Sequence, residues 1–113
     1  MLKKQNRLAK ITSANKSKLF TSPLFNLKVS ENQERKLRFA FIVSKRIDKR
    51  AVVRNKTKRI LRTFIEKTID KLKNGQDIVI ICKKALTTEQ AKEASHSLEI
   101  MFRRANILKW ANW

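Results

Sequence analysis

The chain reads as an α+β sandwich, a small mixed sheet packed against helices, and three observations carry that reading. Two extended runs place apolar residues at every second position, Phe25, Leu27 and Val29 in one and Leu37, Phe39, Phe41 and Val43 in the other. A long amphipathic helical pattern then opens near Ala51, and after it Ile78, Val79, Ile80 and Ile81 form an unbroken apolar run of strand length. A helix lying between two strands implies a parallel crossover, so the sheet is mixed.

Taken in order, residues 1–22 form a basic N-terminal segment. It has no apolar core followed by a small-residue cleavage site, so it does not read as a secretory signal, and the expected location is the cytoplasm. From Pro23 the two alternating runs, separated by the polar SENQERK, are expected to pair as antiparallel neighbours. The second run sets Leu37, Phe39, Phe41 and Val43 on a face that a helix can cover, and Arg38, Ala40, Ile42 and Ser44 on a face that can line a surface. The long helix is expected from Ala51 to about Lys73, where Asn74 and Gly75 supply a left-handed stop. Gln76 to Lys83 is the third strand, central or covered on both faces.

Thr87 or Thr88 caps the last helix, with Gln90 placed after Thr87 as in a capping box. Ala91, Ala94, Leu98, Met101, Phe102 and Ala105 form its core-facing stripe. His96 lies about 140° around that helix from Ala91, which makes it a solvent-facing residue and not a general base. Residues 107–113 are a short tail in which Trp110 and Trp113 can pack or stack on bases, and nothing in the sequence selects between the two.

At 113 residues, with 42% hydrophobic content, the chain can fold as a single domain around one modest core. Yet 28 Lys and Arg stand against 9 acids, a formal charge of +19. Charge of that size destabilises a compact state by self-repulsion unless a polyanion neutralises it, and counterion release from nucleic acid turns the cost into affinity. An anionic membrane surface is the weaker alternative, and the apolar runs are far shorter than the ~20 residues of a membrane span. The single cysteine, Cys82, reads as a buried strand residue. One His, one Cys and scattered carboxylates make no metal site, and no small-molecule substrate is indicated.

The charge concentrates in Lys45 to Arg62, KRIDKRAVVRNKTKRILR, which holds nine Lys or Arg in eighteen residues against one acid, Asp48. At ~100° per residue Arg54, Lys58 and Arg62 fall within about 80° of one another, with Asn55 and Arg59 beside them. Val53, Thr57, Ile60, Leu61 and Phe64 fall on the other side. A helix that buries one face and raises a ridge of guanidinium and ammonium groups on the other is suited to holding phosphates.

The stretch SKRIDKRAVVRNKTKRILR resembles the signature of the bacterial ribonuclease P protein component: Ser44, Lys45 and Arg46 at a strand end, a short basic turn, then Ala51, Val52, Arg54, Asn55, Lys58, Arg59 and Arg62 on a helix. The resemblance extends through Asn6, Arg7 and Leu8, the strands RFAFIVSK and QDIVIICK, and the closing helix. It implies a left-handed β-α-β crossover, against the general right-handed rule, in a fold similar to the second domain of a small-subunit ribosomal protein. It also implies a ribonucleoprotein that matures the 5′ end of tRNA, in which the RNA subunit cleaves with magnesium ions and the protein binds no cofactor and has no catalytic residue. The implied partners are the catalytic RNA and the single-stranded 5′ leader of precursor tRNA. RNA binding falls on Arg54, Asn55, Lys58, Arg59 and Arg62, with Lys45, Arg46, Lys49 and Arg50 as phosphate contacts at the helix entrance. A ribosomal or other structural RNA-binding protein is the alternative reading, and the scattered carboxylates argue against a protein-only nuclease.

Departures from the family pattern concentrate around the leader. The family's first helix carries an Asp-Phe and a second Phe one turn on, whereas AKITSANKSKLFT is about one turn shorter and lacks the pair. Leu27 stands where the family often has a leader-contacting Tyr, and Ala40 where a glycine is usual. Arg7, Phe20, Leu27 and Phe41 are the candidate leader contacts. Weaker stacking is expected, with the basic residues Lys3, Lys4, Arg7 and Lys10 holding the leader backbone by charge.

Overall fold

In the computed structural model the described residues, 17–32 and 36–107, build strands β1 (Lys18–Thr21), β2 (Phe25–Glu31) and β3 (Leu37–Ile42), helix α1 (Ala51–Thr68), strand β4 (Gln76–Cys82) and helix α2 (Ala91–Arg104). The sheet order is β1-β2-β4-β3, with β1 antiparallel to β2, β2 antiparallel to β4, and β3 parallel to β4. The parallel crossover and the mixed α+β architecture are as the sequence predicts.

The expected pairing of the two alternating runs is corrected. β2 and β3 do run in opposite directions, but β4 lies between them, with Leu27 opposite Ile80 on one side and Phe41 opposite Ile80 on the other. The cause is composition: Ile78, Val79 and Ile80 are all buried, and a strand apolar on both faces gains most at the centre of a sheet. A second correction concerns the N-terminal segment, whose residues 18–21 form an edge strand and not part of a short helix. Phe20, opposite Leu27, turns toward the core, and Ser22 closes the hairpin: its Oγ accepts from the Phe25 N–H and donates to the Phe25 carbonyl, both at 3.1 Å.

Helix α1 ends at Thr68, short of Lys73. Thr68 Oγ bonds back to the Phe64 carbonyl at 3.1 Å, the chain tightens through a 3-10 turn at Ile69–Lys71, and Leu72 becomes extended so that its side chain is fully buried. Gly75 does take a left-handed φ of 82°, but it serves the entry of β4. Its N–H donates to the Lys36 carbonyl and its carbonyl accepts from the Asn32 N–H, which sets β4 between its two neighbours. A 3-10 turn at Thr88–Gln90 leads into helix α2 and carries the predicted capping box, the Thr87 N–H donating to Gln90 Oε1 at 3.1 Å. It ends in a Schellman motif: Asn106 has φ 56°, and the Ile107 N–H reaches the Phe102 carbonyl at 3.2 Å. Ile107, which the sequence reading assigns to a tail, is thereby 2% exposed and part of the core; Trp110 and Trp113 lie outside the described residues.

One face of the sheet meets both helices. Phe25, Leu27, Val29, Phe39, Ile78 and Ile80 pack against Leu61, Phe64 and Ile65 of α1 and Leu98, Met101 and Phe102 of α2. The predicted α2 stripe holds, with Ala94, Leu98, Met101 and Phe102 buried and His96 exposed. Thr57 is the one polar residue of α1 with no exposure at all. Its Oγ donates to the Val53 carbonyl and accepts from the Leu86 N–H, each at 3.0 Å, and so joins α1 to the segment after β4.

Replacing Thr57 by Val keeps the volume and strands a buried N–H, at an expected cost of about 1–3 kcal/mol, whereas Thr57→Ser retains the bond. The check is chemical denaturation: the Val variant lowers the midpoint at unchanged slope, and the Ser variant loses much less.

Candidate nucleic-acid interface

The basic stretch occupies one end of the molecule. β3 ends at Ile42, Val43 turns into the core, and Ser44, Lys45 and Arg46 emerge exposed. The Ile47 N–H donates to the Ser44 carbonyl at 3.1 Å, and the Ile47 side chain tucks against the core, so the loop is anchored in its middle.

Asp48 organises the rest of the loop and its entry into α1. Its Oδ1 accepts from the Arg50 N–H at 2.8 Å and from Arg50 Nε at 3.1 Å, while Oδ2 accepts from Arg50 Nη2 at 3.0 Å. The Arg50 side-chain and backbone bonds, helped by the Arg54 charge, hold the Asp48 carboxyl down at about 2. Arg54 folds back from the first turn of α1, and its Nη1 donates to the Asp48 and Lys49 carbonyls, both at 2.9 Å. Two of the predicted phosphate ligands therefore also set the loop, and each keeps donors to spare, since a guanidinium carries five N–H groups. The first turn of α1 contains no acid and no side-chain cap, so the positive end of its dipole faces the same basic surroundings.

Along α1 the predicted division of faces is present. Thr57, Leu61, Phe64, Ile65 and Thr68 are buried, whereas Asn55, Arg59 and Arg62 are exposed and Arg54 and Lys58 are half-buried. The Arg62 guanidinium lies over the Phe41 ring at 5.9 Å, and Phe41 stacks on Phe39 at 6.4 Å between centroids. The alternation of the second run puts Phe41 on the helix side, but its service as a platform for Arg62 depends on the crossover and is not legible in the sequence. Lys58 reaches the far end of β4. Burial pushes the Cys82 thiol up to about 12, and the Lys58 charge offsets part of that rise. The thiol stays protonated at neutral pH, as a packed strand residue would.

The described candidate leader contacts share one row across the sheet, Phe20 opposite Leu27 and Phe41 beyond Ile80, on the face that the helices cover. Arg7 lies outside the described residues, and Phe20 and Phe41 are half-buried against the core. Leu27 is fully buried beneath the helices and is corrected as a contact. The alternation already holds the signal, because Phe25, Leu27 and Val29 share a face and a contact on the other face must come from Asn26 or Lys28. That other face also carries a fork between strands: Arg38 donates Nε and Nη2 to the two Asp77 oxygens at 2.8 and 3.0 Å, and Asn32 Nδ2 donates to Asp77 Oδ1 at 2.8 Å.

Residues 1–106 match the family model described as Ribonuclease P. The ribonuclease P protein component of Clostridium kluyveri is 31% identical over 96 residues, which cover 83% of this chain and 85% of that protein. Its counterpart in Desulfosudis oleivorans is 32% identical over 108 residues, covering 92% and 88%. Among solved structures, the ribonuclease P protein from Staphylococcus aureus superposes with a TM-score of 0.71 at 26% identity over 96% of both chains. That from Thermotoga maritima gives 0.64 at 21% identity over 78% of this chain and 83% of that one, a likeness of fold.

The Asp48 geometry has a pH signature. A carboxyl held near 2, against an ordinary 3.8, favours the folded loop above pH 3.8, and that contribution is lost as pH falls through about 2. Carboxyl resonances followed by NMR should show Asp48 titrating near 2, and Arg50→Ala should return it toward 3.8. A midpoint near 3.8 in the unaltered protein would contradict the fork.

Proposed function

The chain belongs to the ribonuclease P protein family, and we propose that it works as the protein subunit of that ribonucleoprotein by docking its basic loop and α1 ridge on the RNA subunit. The observation that carries this reading is the coincidence of motif and geometry. Lys45, Arg46, Lys49, Arg50, Arg54, Asn55, Lys58, Arg59 and Arg62 all belong to the loop leaving β3 or to the helix it enters. The alternative of a ribosomal protein shares charge and size but not the matched relatives.

In this reading the RNA subunit cleaves precursor tRNA and holds the magnesium ions, while the protein supplies binding. Among the described residues no three His, Cys, Asp or Glu side chains come together in a group able to hold a metal ion. His96, the sole histidine, is exposed on α2. Processing then takes place in the cytoplasm; among the described residues no helix is long and apolar enough to cross a membrane.

For the leader, the placement of Leu27, Phe20 and Phe41 favours charge over stacking. Base stacking contributes ~1 to 3 kcal/mol per base where an aromatic platform exists. Here the N-terminal cations Lys3, Lys4, Arg7 and Lys10 would hold the leader backbone instead, which makes the preference for precursor over mature tRNA weak and sensitive to salt.

Protein purified free of RNA should leave precursor tRNA intact, and adding it to the cognate RNA should raise cleavage most at low magnesium. Robust 5′ processing by the protein alone would overturn the assignment. Replacing Lys58 and Arg62 together by Ala should flatten the plot of log affinity against log salt by roughly 0.7 to 0.9 per lost contact. Holoenzyme affinities for a precursor and for the same tRNA without its leader should differ little, and the difference should shrink further at high salt. A large ratio that survives high salt would reveal a stacking surface.

A further inference from the structure

We infer that Phe41 is a positioning residue for RNA binding: its ring holds the Arg62 guanidinium ready for a phosphate, so that Phe41 acts on the RNA through Arg62 and not by stacking on leader bases. The inference rests on the functional reading above and gives Phe41 a different role from the one its place in the sequence suggests.

The geometry begins at the sheet edge. β3 is the last strand, so Phe41 has Ile80 of β4 on one side and no strand on the other. Its side chain lies on the helix face, half-buried against the core. Phe39, only 2% exposed, lies nearly parallel to it, with ring centroids 6.4 Å apart and 9° between the planes. One side of the Phe41 ring is thereby fixed by a buried neighbour. The crossover lays α1 against this edge, and Leu61 and Ile65, on either side of Arg62 in the helix, are fully buried. Arg62 is thus held by its backbone at the rim of the core, exposed, with its Cζ over the Phe41 ring at 5.9 Å.

The other ordered arginines are held in a different way. Arg38 is fixed by Asp77 and Arg50 by Asp48, each with Nε and Nη2 occupied by a carboxylate. Arg54 gives Nη1 to two backbone carbonyls. Arg62 has no carboxylate partner among the described residues. A ring attracts the cation through its π face and brings no negative charge, so it neither neutralises Arg62 nor competes with a phosphate as a carboxylate would. A free arginine loses rotamer freedom when it binds, and a ring that already restricts it removes part of that loss. An aliphatic side chain at position 41 would fill the edge of the core but offer no such face.

The test is a double-mutant cycle. Phe41→Leu and Phe41→Tyr are each made in the unaltered chain and together with Arg62→Ala, and affinity for the cognate RNA subunit is measured across salt concentrations. Phe41→Leu should weaken binding by roughly 2- to 10-fold, the range for one more side chain to be ordered on binding. The log–log salt slope should not change, because the number of cations is the same. Phe41→Tyr, which keeps a ring, should bind as the unaltered chain does, and with Arg62→Ala already present Phe41→Leu should cost nothing further. In the free protein the Arg62 Nε–H resonance should be shifted upfield by the ring in the unaltered chain and the Tyr variant, and not in the Leu variant. No loss on Phe41→Leu, an equal loss in the two Arg62 backgrounds, or no ring shift in the unaltered chain overturns the inference. So does a loss confined to precursor over mature tRNA, measured with RNA subunit saturated by protein, since it would make Phe41 a leader contact. Thermal melts confirm folding. Failure of the unaltered protein to bind RNA would instead sink the functional reading itself.

Discussion

The insertion of β4 between β2 and β3 is the constraint on which the rest of the molecule depends. Its inner residues are apolar on both faces, with Ile78 and Ile80 under the helices and Val79 on the opposite side, so no edge position would bury them. A strand parallel to its predecessor cannot be reached by a hairpin. The chain from Val43 to Gly75 must therefore leave β3 at one end and return to the other, and α1 is the element that makes the journey. Its first turn is thereby fixed at the end where β3 stops and β4 stops. The basic loop and the cationic turn of the helix meet there because of strand order.

Charge and fold are kept apart in this arrangement. Among the described residues the core cluster is apolar, and Thr57 and Thr68, the two polar residues buried with it, bond to backbone groups. Removing cations from the basic end would then change what the protein holds more than whether it folds. Arg50 and Arg54 are the exceptions, since both bond within the loop. The Arg50–Asp48 pair is exposed and screened, so its weight lies in orienting the loop and little in global stability.

The strands, the two helices and the basic ridge are legible in the sequence because period and charge are local properties. Three things are not. The order of strands depends on which run is apolar on both faces, and the continuous run at Ile78 to Ile81 points to the centre without saying which strand it displaces. The end of α1 reads naturally from Gly75, a strong local signal that in fact serves a strand entry, while the real stop comes from the demand that Leu72 be buried. Leu27 matches a surface position of the family pattern, although its own alternation with Phe25 and Val29 puts it in the core. In that conflict the period-2 pattern is the better physical guide, because a shift of one residue in a strand exchanges the faces.

A rigid basic end and a flexible basic tail with the same charge would bind RNA differently. A tail pays the ordering of each lysine when it binds and follows any polyanion it meets. Here Ile47 anchored in the core, the Asp48–Arg50 fork and the Arg54 bonds to two carbonyls hold the loop before binding. Phosphate contacts carry no sequence information, but contacts held at fixed spacing select the shape of the backbone that fits them. The loop's single acid, Asp48, lowers the site's positive balance by one unit, and in return it converts neighbouring cations from a cloud into an arrangement.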